Sequence, residues 1–276
     1  MALKFMYITN QPEIAMIAQK YGVDRIWIDL EVKGKEERQK NLNSVKSHHK
    51  MSDIASVKQV LKTSELLVRI NPWDNESEEE VNAVIDLGAD IIMLPMWKTV
   101  TEVQNFTKAV KNRAKVVLLL ETKEAVECLD EVLNLSGIDE IHIGLNDLHL
   151  SYGMTFMFEL LADGTVEDIV KKIHALDIPY GFGGVACIGQ GELPAENIII
   201  EHYRLGSTRA ILARAFCNTD QICEQKKLDR LFCTEIKKIR ELEQIVKSYD
   251  NNMFEKNRRH VVNIVEQIVL QKKLVV

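Results

Sequence analysis

Short apolar runs with the character of strands alternate with amphipathic segments up to about residue 218, and this alternation constrains the fold more than any other feature. Near-continuous apolar strands separated by helices are typical of a parallel sheet that helices cover on both faces. Eight strand–helix units therefore predict an α/β fold, a closed (β/α)8 TIM barrel. The eight runs are LKFMYI, DRIWIDLE, ELLVRIN, DIIMLPM, KVVLLLE, EIHIGLN, IPYGFGGVA and TRAILARAF.

The segments between these runs have helical patterns, and several end in the glycine expected just after a helix. Examples are PEIAMIAQKYG, SEEEVNAVIDLG, VTEVQNFTKAVKN and EAVECLDEVLNLSG. No G-x-G-x-x-G motif follows the first run. Because that motif marks the dinucleotide-binding form of an open doubly wound sheet, its absence favours the barrel.

The pattern changes after the eighth run, and from about Asp220 the chain has no strand signal. Apolar residues recur there at three- and four-residue spacing, which predicts two helices separated by SYDNN. We therefore expect a barrel domain at residues 1–218 and a C-terminal helical extension at residues 219–276. The extension is expected to pack either on its own barrel or on a neighbouring subunit, and the sequence leaves both open.

The bulk composition excludes several classes of protein. The net charge of −6 and the pI near 5.7 give no electrostatic footprint for nucleic acid. Five scattered cysteines without a C-x-x-C pair are typical of reduced thiols in a cytoplasmic protein. We expect no signal peptide, because MALKFMYITN lacks a charged leader and a long apolar run, and no membrane span.

Two carboxylates, Glu121 and Asp147, stand where the fifth and sixth strand runs break off. In a parallel barrel the C-terminal strand ends converge on the face where active sites are built. Two acids there supply half of a site for a hard cation, Mg²⁺ or Mn²⁺. The alternative is that both acids only cap the helices that follow.

A second cluster of charged residues is expected at the ends of strands two and three. The second run ends with Asp29 and Glu31, and the third carries Arg69 among Leu, Val and Ile. Because a buried arginine is costly without a partner, Arg69 needs a carboxylate or a substrate oxyanion. The two readings are substrate binding through its planar fork and a structural ion pair with Asp29 or Glu31.

Other residues are weaker candidates. Trp73 follows strand three and is expected to line the pocket mouth, and Arg214 at the end of strand eight is an anion contact or a structural partner. Gly183 and Gly184 in strand seven indicate tight packing or the close approach of a ligand. The polar segment KNLNSVKSHHKMSD is expected to be a solvated loop.

Five segments taken in order resemble the HpcH/HpaI aldolase and citrate lyase β-subunit family, barrels of the phosphoenolpyruvate/pyruvate superfamily. The resemblance runs from the first strand to about Gly153, and more weakly to Phe216. It implies metal dependence, with Glu121 and Asp147 as ligands and Arg69 holding the substrate oxyanion. The segments are ITNQPEIAMIAQKYGVDRIWIDLE, LLVRIN, GADIIMLPM, LLLETKEAVE and IGLNDLHLSYG.

The chain departs from this family after strand two. One branch has D-x-E-H there and another D-L-E-D, whereas this chain has Val32 in the last place. The usual acid–base histidine is therefore absent, which leaves Asp29, Glu31, Lys33 or a metal-bound water as the proton carrier.

The expected activity is metal-dependent carbon–carbon lyase or aldolase chemistry through an enolate of pyruvate, or a related 2-oxo or hydroxy acid, in a homo-oligomer. The alternatives are an acyl-CoA lyase or thioesterase of the same family, and a barrel that only binds a ligand or partner.

Overall fold

Eight parallel strands form a closed barrel in the order β1 to β8, which confirms the (β/α)8 prediction. The computed structural model describes residues 2–34, 49–213, 215–217 and 224–275. The strands are β1 (Lys4–Ile8), β2 (Arg25–Asp29), β3 (Glu65–Arg69), β4 (Ile91–Leu94), β5 (Lys115–Leu120), β6 (Glu140–Ile143), β7 (Tyr180–Val185) and β8 (Arg209–Leu212).

Helices follow the strands, and two long helices end the chain. Those between strands are α1 (Pro12–Lys20), α2 (Met51–Lys58), α3 (Ser77–Asp86), α4 (Val100–Val110), α5 (Lys123–Glu127), α6 (Leu129–Val132), α7 (Leu145–Ser151), α8 (Glu159–Ala162), α9 (Thr165–His174) and α10 (Ala195–Arg204). The final pair is α11 (Gln225–Val246) and α12 (Asn251–Val275).

The described chain packs as two compact units, Met6–Ile141 and the combination of Met1–Phe5 with His142–Val276. The expected boundary between residues 218 and 219 falls outside the described residues and stays a prediction.

A buried ion-pair network shows which side chains of the first unit face the barrel interior. The Arg25 guanidinium on β2 bonds Glu140 on β6 (Nη2–Oε2 2.9 Å) and Glu65 on β3 (Nε–Oε2 3.2 Å). Because β2 and β6 are not neighbours in the barrel, Arg25 must reach across its interior. Strand side chains alternate between faces, so Trp27 and Asp29 on β2 point inward as well.

The glycines of β7 serve packing in the second unit. The pairing of β7 with β8 shifts register between Gly181 and Gly184, and Gly183 has a φ of 53°. A Cβ on Gly183 would stand 2.8 Å from the Leu145 side chain. Close packing at a strand irregularity therefore accounts for these glycines.

Both C-terminal helices bury apolar side chains within the second unit, including Phe232 and Ile239 of α11 and Val261 and Val265 of α12, and α12 packs against α8 and α10. The two helices also carry buried polar side chains. Glu243 of α11 is fully buried and accepts hydrogen bonds from Leu3 N (2.7 Å), Tyr203 Oη (2.9 Å) and Arg240 Nη1 (2.7 Å). Asn257 of α12 donates to Glu201 Oε1 (2.8 Å). This part of the extension is thus bound to its own chain.

Candidate functional site

Arg69 and Asp29 form a bidentate ion pair at the C-terminal ends of β3 and β2. They are register partners, which places their side chains on the same inner face. Arg69 Nε and Nη2 donate to Asp29 Oδ1 and Oδ2, each at 2.9 Å. The ion pair with Asp29 anticipated as one reading of Arg69 is therefore present. Both Asp29 oxygens are occupied by this fork, which makes Asp29 a poor proton carrier.

The surroundings of Arg69 keep its guanidinium group charged, and they leave one of its nitrogens without an acceptor among the described residues. Burial by itself lowers the pKa of Arg69, but nearby carboxylates outweigh it and hold the pKa above its ordinary value. These belong to Asp29, Glu31 and Glu121. The guanidinium also stacks over the Trp27 ring at 5.2 Å. Nη1 donates to no acceptor among the described residues.

Glu31 lies beside this pair and is almost fully buried. Its Oε2 stands 3.2 Å from Arg69 Nη2, and its side chain is 3% exposed. Its backbone N–H donates to Asp29 Oδ1 at 3.2 Å. Because the Arg69 fork is directed chiefly at Asp29, Glu31 is the acid of this cluster that is less engaged by the arginine.

Hydrogen bonds hold the loop after β2 against the end of β3, and the lysine of this loop is engaged in ion pairs. Asn71 Oδ1 accepts hydrogen bonds from the amides of Val32 (3.0 Å) and Lys33 (3.1 Å). Hydrogen bonds from Nζ to Asp74 and Glu76 raise the pKa of Lys33 above its ordinary value. Lys33 therefore stays protonated near neutral pH, which argues against it as a base.

Glu121 is held at the end of β5 by a neighbouring loop rather than used as a helix cap. Its Oε1 accepts the Met96 N–H at 3.0 Å, and its side chain is 3% exposed. Met96 has a φ of 53°, a left-handed conformation that is strained for a residue with a side chain. The cap of α5 is Thr122, whose hydroxyl accepts from Ala125 N. The capping alternative for Glu121 is therefore wrong.

Asp147 lies in the first turn of α7, in the second unit. It is the third residue of the helix, and Gly144 occupies the N-cap position. A carboxylate in a first helical turn interacts favourably with the helix dipole. The side chain is half-buried.

Trp73 and Arg214 were the remaining candidate substrate contacts. Trp73 is half-buried after β3, and its ring meets that of Phe106 on α4 edge to face, with the centroids 6.3 Å apart. Its role at the pocket mouth stays a prediction. Arg214 lies outside the described residues.

Sequence reasoning missed His49. It assigned this residue to a solvated loop, but α2 begins at Met51 and the half-buried His49 bonds the end of β2. The Asp29 amide donates to His49 Nδ1 at 2.9 Å. The polar surroundings of His49 in the sequence mask this contact, and only the fold, which brings the residue to the end of β2, reveals it.

The donor chemistry at these strand ends suits a hard cation with few protein ligands. Among the described residues, no group of three or more His, Cys, Asp and Glu side chains is arranged to hold a metal ion. Glu121 in the first unit and Asp147 in the second each carry carboxylate oxygens, the ligand type of Mg²⁺ and Mn²⁺ rather than of a structural zinc ion. The metal site that the sequence predicts from these two residues stays a prediction.

The fold and the polar cluster together define the class of protein. It is a (β/α)8 barrel with an arginine–carboxylate cluster at the C-terminal strand ends, where barrels of this kind have their active sites. The family model for HpcH/HpaI aldolase/citrate lyase matches residues 4–160, and the chain belongs to this family. The resemblance noted in the sequence is thereby confirmed. Among curated proteins, no significant match to the chain is found.

Solved structures share the fold at low sequence identity. The HpcH/HpaI aldolase from Desulfitobacterium hafniense DCB-2 has a TM-score of 0.59 at 16% identity, covering 77% of this chain and 86% of that one. An aldolase/citrate lyase family protein from Burkholderia cenocepacia J2315 has a TM-score of 0.58 at 13% identity, with 90% and 95% covered. Citrate synthase SbnG has a TM-score of 0.57 at 17% identity, with 77% and 86% covered.

No helix among the described residues is both long enough and apolar enough to cross a membrane.

Proposed function

We propose that this protein is a divalent-metal-dependent carbon–carbon lyase or aldolase that acts through an enolate of pyruvate or of a related 2-oxo or hydroxy acid. The observation that carries the proposal is the Arg69 fork. Asp29 fixes two of its nitrogens, and Nη1 has no acceptor among the described residues. A rigid cation of this kind at the C-terminal strand ends suits a small carboxylate substrate. Membership of a family of aldolases and lyases supports the reaction class.

In this proposal Glu121 and Asp147 hold Mg²⁺ or Mn²⁺. When bound, the cation supplies Lewis-acid polarisation of the 2-oxo group and stabilises the enolate charge. Met96 N–H fixes one oxygen of Glu121 and so orients the carboxylate before the ion binds.

The side chains of the first unit then divide the remaining tasks. Arg69 binds and orients the substrate carboxylate, and Asp29 holds the arginine in place. Glu31 accepts the hydroxyl proton of a hydroxy-oxo acid as the carbon–carbon bond breaks, which releases an aldehyde and leaves the enolate. The same proton returns to the enolate carbon to give the 2-oxo acid.

The direct test is to incubate the purified protein with Mg²⁺ and either oxaloacetate or a 4-hydroxy-2-oxo acid, and to follow pyruvate release against a protein-free blank. We expect turnover that EDTA abolishes and Mg²⁺ restores. No turnover on any such substrate, together with no bound metal, would defeat the enzyme assignment in favour of a barrel that only binds.

The ligand assignment has its own test. Glu121→Gln keeps the shape of the side chain but removes its charge, so we expect Mn²⁺ affinity to fall at least about tenfold in a calorimetric titration. Glu127→Gln on the exposed face of α5 is the matched control and should bind Mn²⁺ like the wild type. Unchanged affinity in Glu121→Gln would show that the ion sits elsewhere.

A further inference from the structure

The side chain of Asn71 continues the pairing of β2 with β3 beyond the ends of both strands. Just past β2, Leu30 N donates to Arg69 O at 2.9 Å. Two residues further along each chain, Asn71 Oδ1 accepts Val32 N at 3.0 Å, and it also accepts Lys33 N at 3.1 Å. Bonds of one strand to a parallel neighbour recur every two residues, so the asparagine oxygen takes the next place in the ladder.

The amide group of Asn71 is oriented by partners of opposite kinds. Backbone amides only donate and a carboxylate accepts, so Oδ1 faces Val32 and Lys33 while Nδ2 faces Glu80. Nδ2 donates to Glu80 Oε1 at 2.8 Å, and Asn71 N donates to Glu80 Oε2 at 3.2 Å. Pro72 disfavours a helical conformation for the residue before it and so keeps Asn71 extended. The helix α3, which carries Glu80, therefore holds Asn71, and Asn71 holds the loop after β2.

Glu31 lies between the two amides that are tied to the β3 chain. Leu30 before it bonds Arg69 O, and Val32 after it bonds Asn71 Oδ1. The Glu31 carboxylate is itself in contact with Arg69, with Oε2 3.2 Å from Nη2. Because Arg69 stands two residues before Asn71, hydrogen bonds on both sides of Glu31 fix its backbone to the chain that carries the arginine.

The lysine of this loop provides a second, weaker tie. Lys33 Nζ lies 2.5 Å from Asp74 Oδ2 and 2.8 Å from Glu76 Oε2. These side chains are exposed, and exposed ion pairs contribute little because water and salt screen them. Asn71 and Glu80 are half-buried, so their hydrogen bonds are the stronger constraint on the loop.

We propose that Asn71, held by Glu80, is a positioning residue that fixes the backbone of Glu31 relative to Arg69. The inference rests on the proposed function for the part that Glu31 takes as proton acceptor. Asn71 acts only through Glu31, whose carboxylate must reach the substrate hydroxyl while Arg69 holds the substrate carboxylate. A displacement of about 1 Å costs about 10²-fold in rate, so a loosened tie affects kcat more than KM.

An exchange of groups between the two side chains tests this role. Asn71→Asp places a carboxylate against that of Glu80, so we expect kcat to fall at least about tenfold while KM changes less than about twofold. Asn71→Asp combined with Glu80→Gln restores an N–H between the side chains and should recover most of kcat. Asn82→Asp on α3, whose side chain bonds Arg113, is the matched control and should behave like the wild type. Unchanged kcat in folded Asn71→Asp, or a double variant no better than the single one, would refute the positioning role.

Hydrogen exchange tests the tie without any substrate. In the full-length wild type the Val32 and Lys33 amides should be protected, and Asn71→Ala should raise their exchange rates at least about tenfold. The Leu30 amide, bonded to a backbone carbonyl, should keep its rate and so shows that the variant remains folded. Equal Val32 and Lys33 rates in the wild type and Asn71→Ala would overturn the proposal, even in an active enzyme. Protected amides in a wild type without turnover would defeat the proposed function and leave the tie established.

Discussion

At the scale of single residues, Arg69 is the centre of the polar cluster at the strand ends. The planar shape of its guanidinium group distinguishes it from a lysine of the same charge. Asp29 takes two of the Arg69 nitrogens in a fork, and a buried carboxylate left without this partner would cost about 3–5 kcal/mol. The pair therefore stabilises the fold and, in the proposed function, holds the substrate-binding arginine in place. Replacing Arg69 by a neutral residue would change both stability and activity. A variant that keeps the positive charge separates these two effects better.

Arg69→Lys should retain the fold and lose most of the activity. A lysine keeps the positive charge beside Asp29 but cannot bond it bidentately and still offer a donor to the substrate. We expect kcat/KM to fall about 10²–10³-fold with little change in melting temperature. Steady-state kinetics and thermal unfolding of the same preparation check this. Near-normal kcat/KM would show that Arg69 has only a structural role.

A buried histidine makes the stability depend on pH. His202 is fully buried, stacks on Phe182 and bonds Ser207. Burial, with a smaller contribution from His142, lowers the pKa of His202 to about 3. Because the folded pKa lies below the unfolded value of about 6.5, the contribution is complete above pH 6.5 and is lost as the pH falls toward 3.

We expect His202 to account for about 2 kcal/mol of lost unfolding free energy between pH 7 and pH 5. Urea unfolding at both pH values measures this difference. His202→Gln should reduce the difference by about that amount, whatever its absolute stability. The exposed His260→Gln should keep the wild-type difference. An undiminished pH difference in His202→Gln would assign the effect to other groups.

At the scale of elements, strand positions follow closely from the sequence, and the polar contacts between elements do not. The run KVVLLLE predicts a strand that the structure places at Lys115–Leu120, because apolar β-formers bounded by turn residues are a local signal. Gly22, Gly88 and Gly137 all have positive φ, as predicted for glycines after helices.

Contacts that join distant parts of the chain leave no local signal. The sequence identified Arg69 as a cation in need of a partner, but it left the choice between Asp29, Glu31 and a ligand open. It also passed over Asn257 and Glu243, because helical periodicity records only the apolar residues of a stripe. Their burial depends on what α10 and the N-terminus present to them, which the fold alone decides.

Asn257 is the polar anchor of α12 and should matter for stability. Its amide donates to Glu201 Oε1 (2.8 Å) and Asn197 O (3.1 Å), and its oxygen accepts from Asn197 Nδ2 (2.7 Å). Asn257→Ala should lower the free energy of unfolding by about 1–3 kcal/mol, since it leaves buried polar groups with fewer partners. Asn252→Ala, exposed on the same helix, should be nearly neutral. Denaturant unfolding of both variants measures these free energies. Equal losses of stability would show that Asn257 does not anchor α12.

At the scale of the whole molecule, the negative net charge of the protein and the local positive charge of the site act in opposite directions on an anionic substrate. The net charge of −6 repels an anionic substrate at long range, so local cations must bind it. In the proposed function, Arg69 and the divalent ion supply that charge. Composition therefore argues against nucleic acid as a partner and yet does not identify a small anionic substrate.

The predicted homo-oligomer can be tested without disturbing the fold. Deletion from about residue 250 would remove Asn257, Val261 and Val265, which are buried against their own chain, so a change in mass would be ambiguous. Leu270 and Leu274 at the end of α12 are instead 63% and 85% exposed. Exposed apolar side chains on one helix face are typical of a contact between subunits.

We therefore expect the wild type to elute as an oligomer in size-exclusion chromatography with light scattering, and the double variant Leu270→Glu/Leu274→Glu to have a lower mass. Two buried glutamates at a subunit contact would be unpaired, and the association would weaken accordingly. Met16→Glu, which places the same charge on an exposed apolar position of α1, is the matched control and should keep the wild-type mass. A monomeric wild type would make the oligomer prediction wrong, and an oligomer that resists the double substitution would place the contact on another surface.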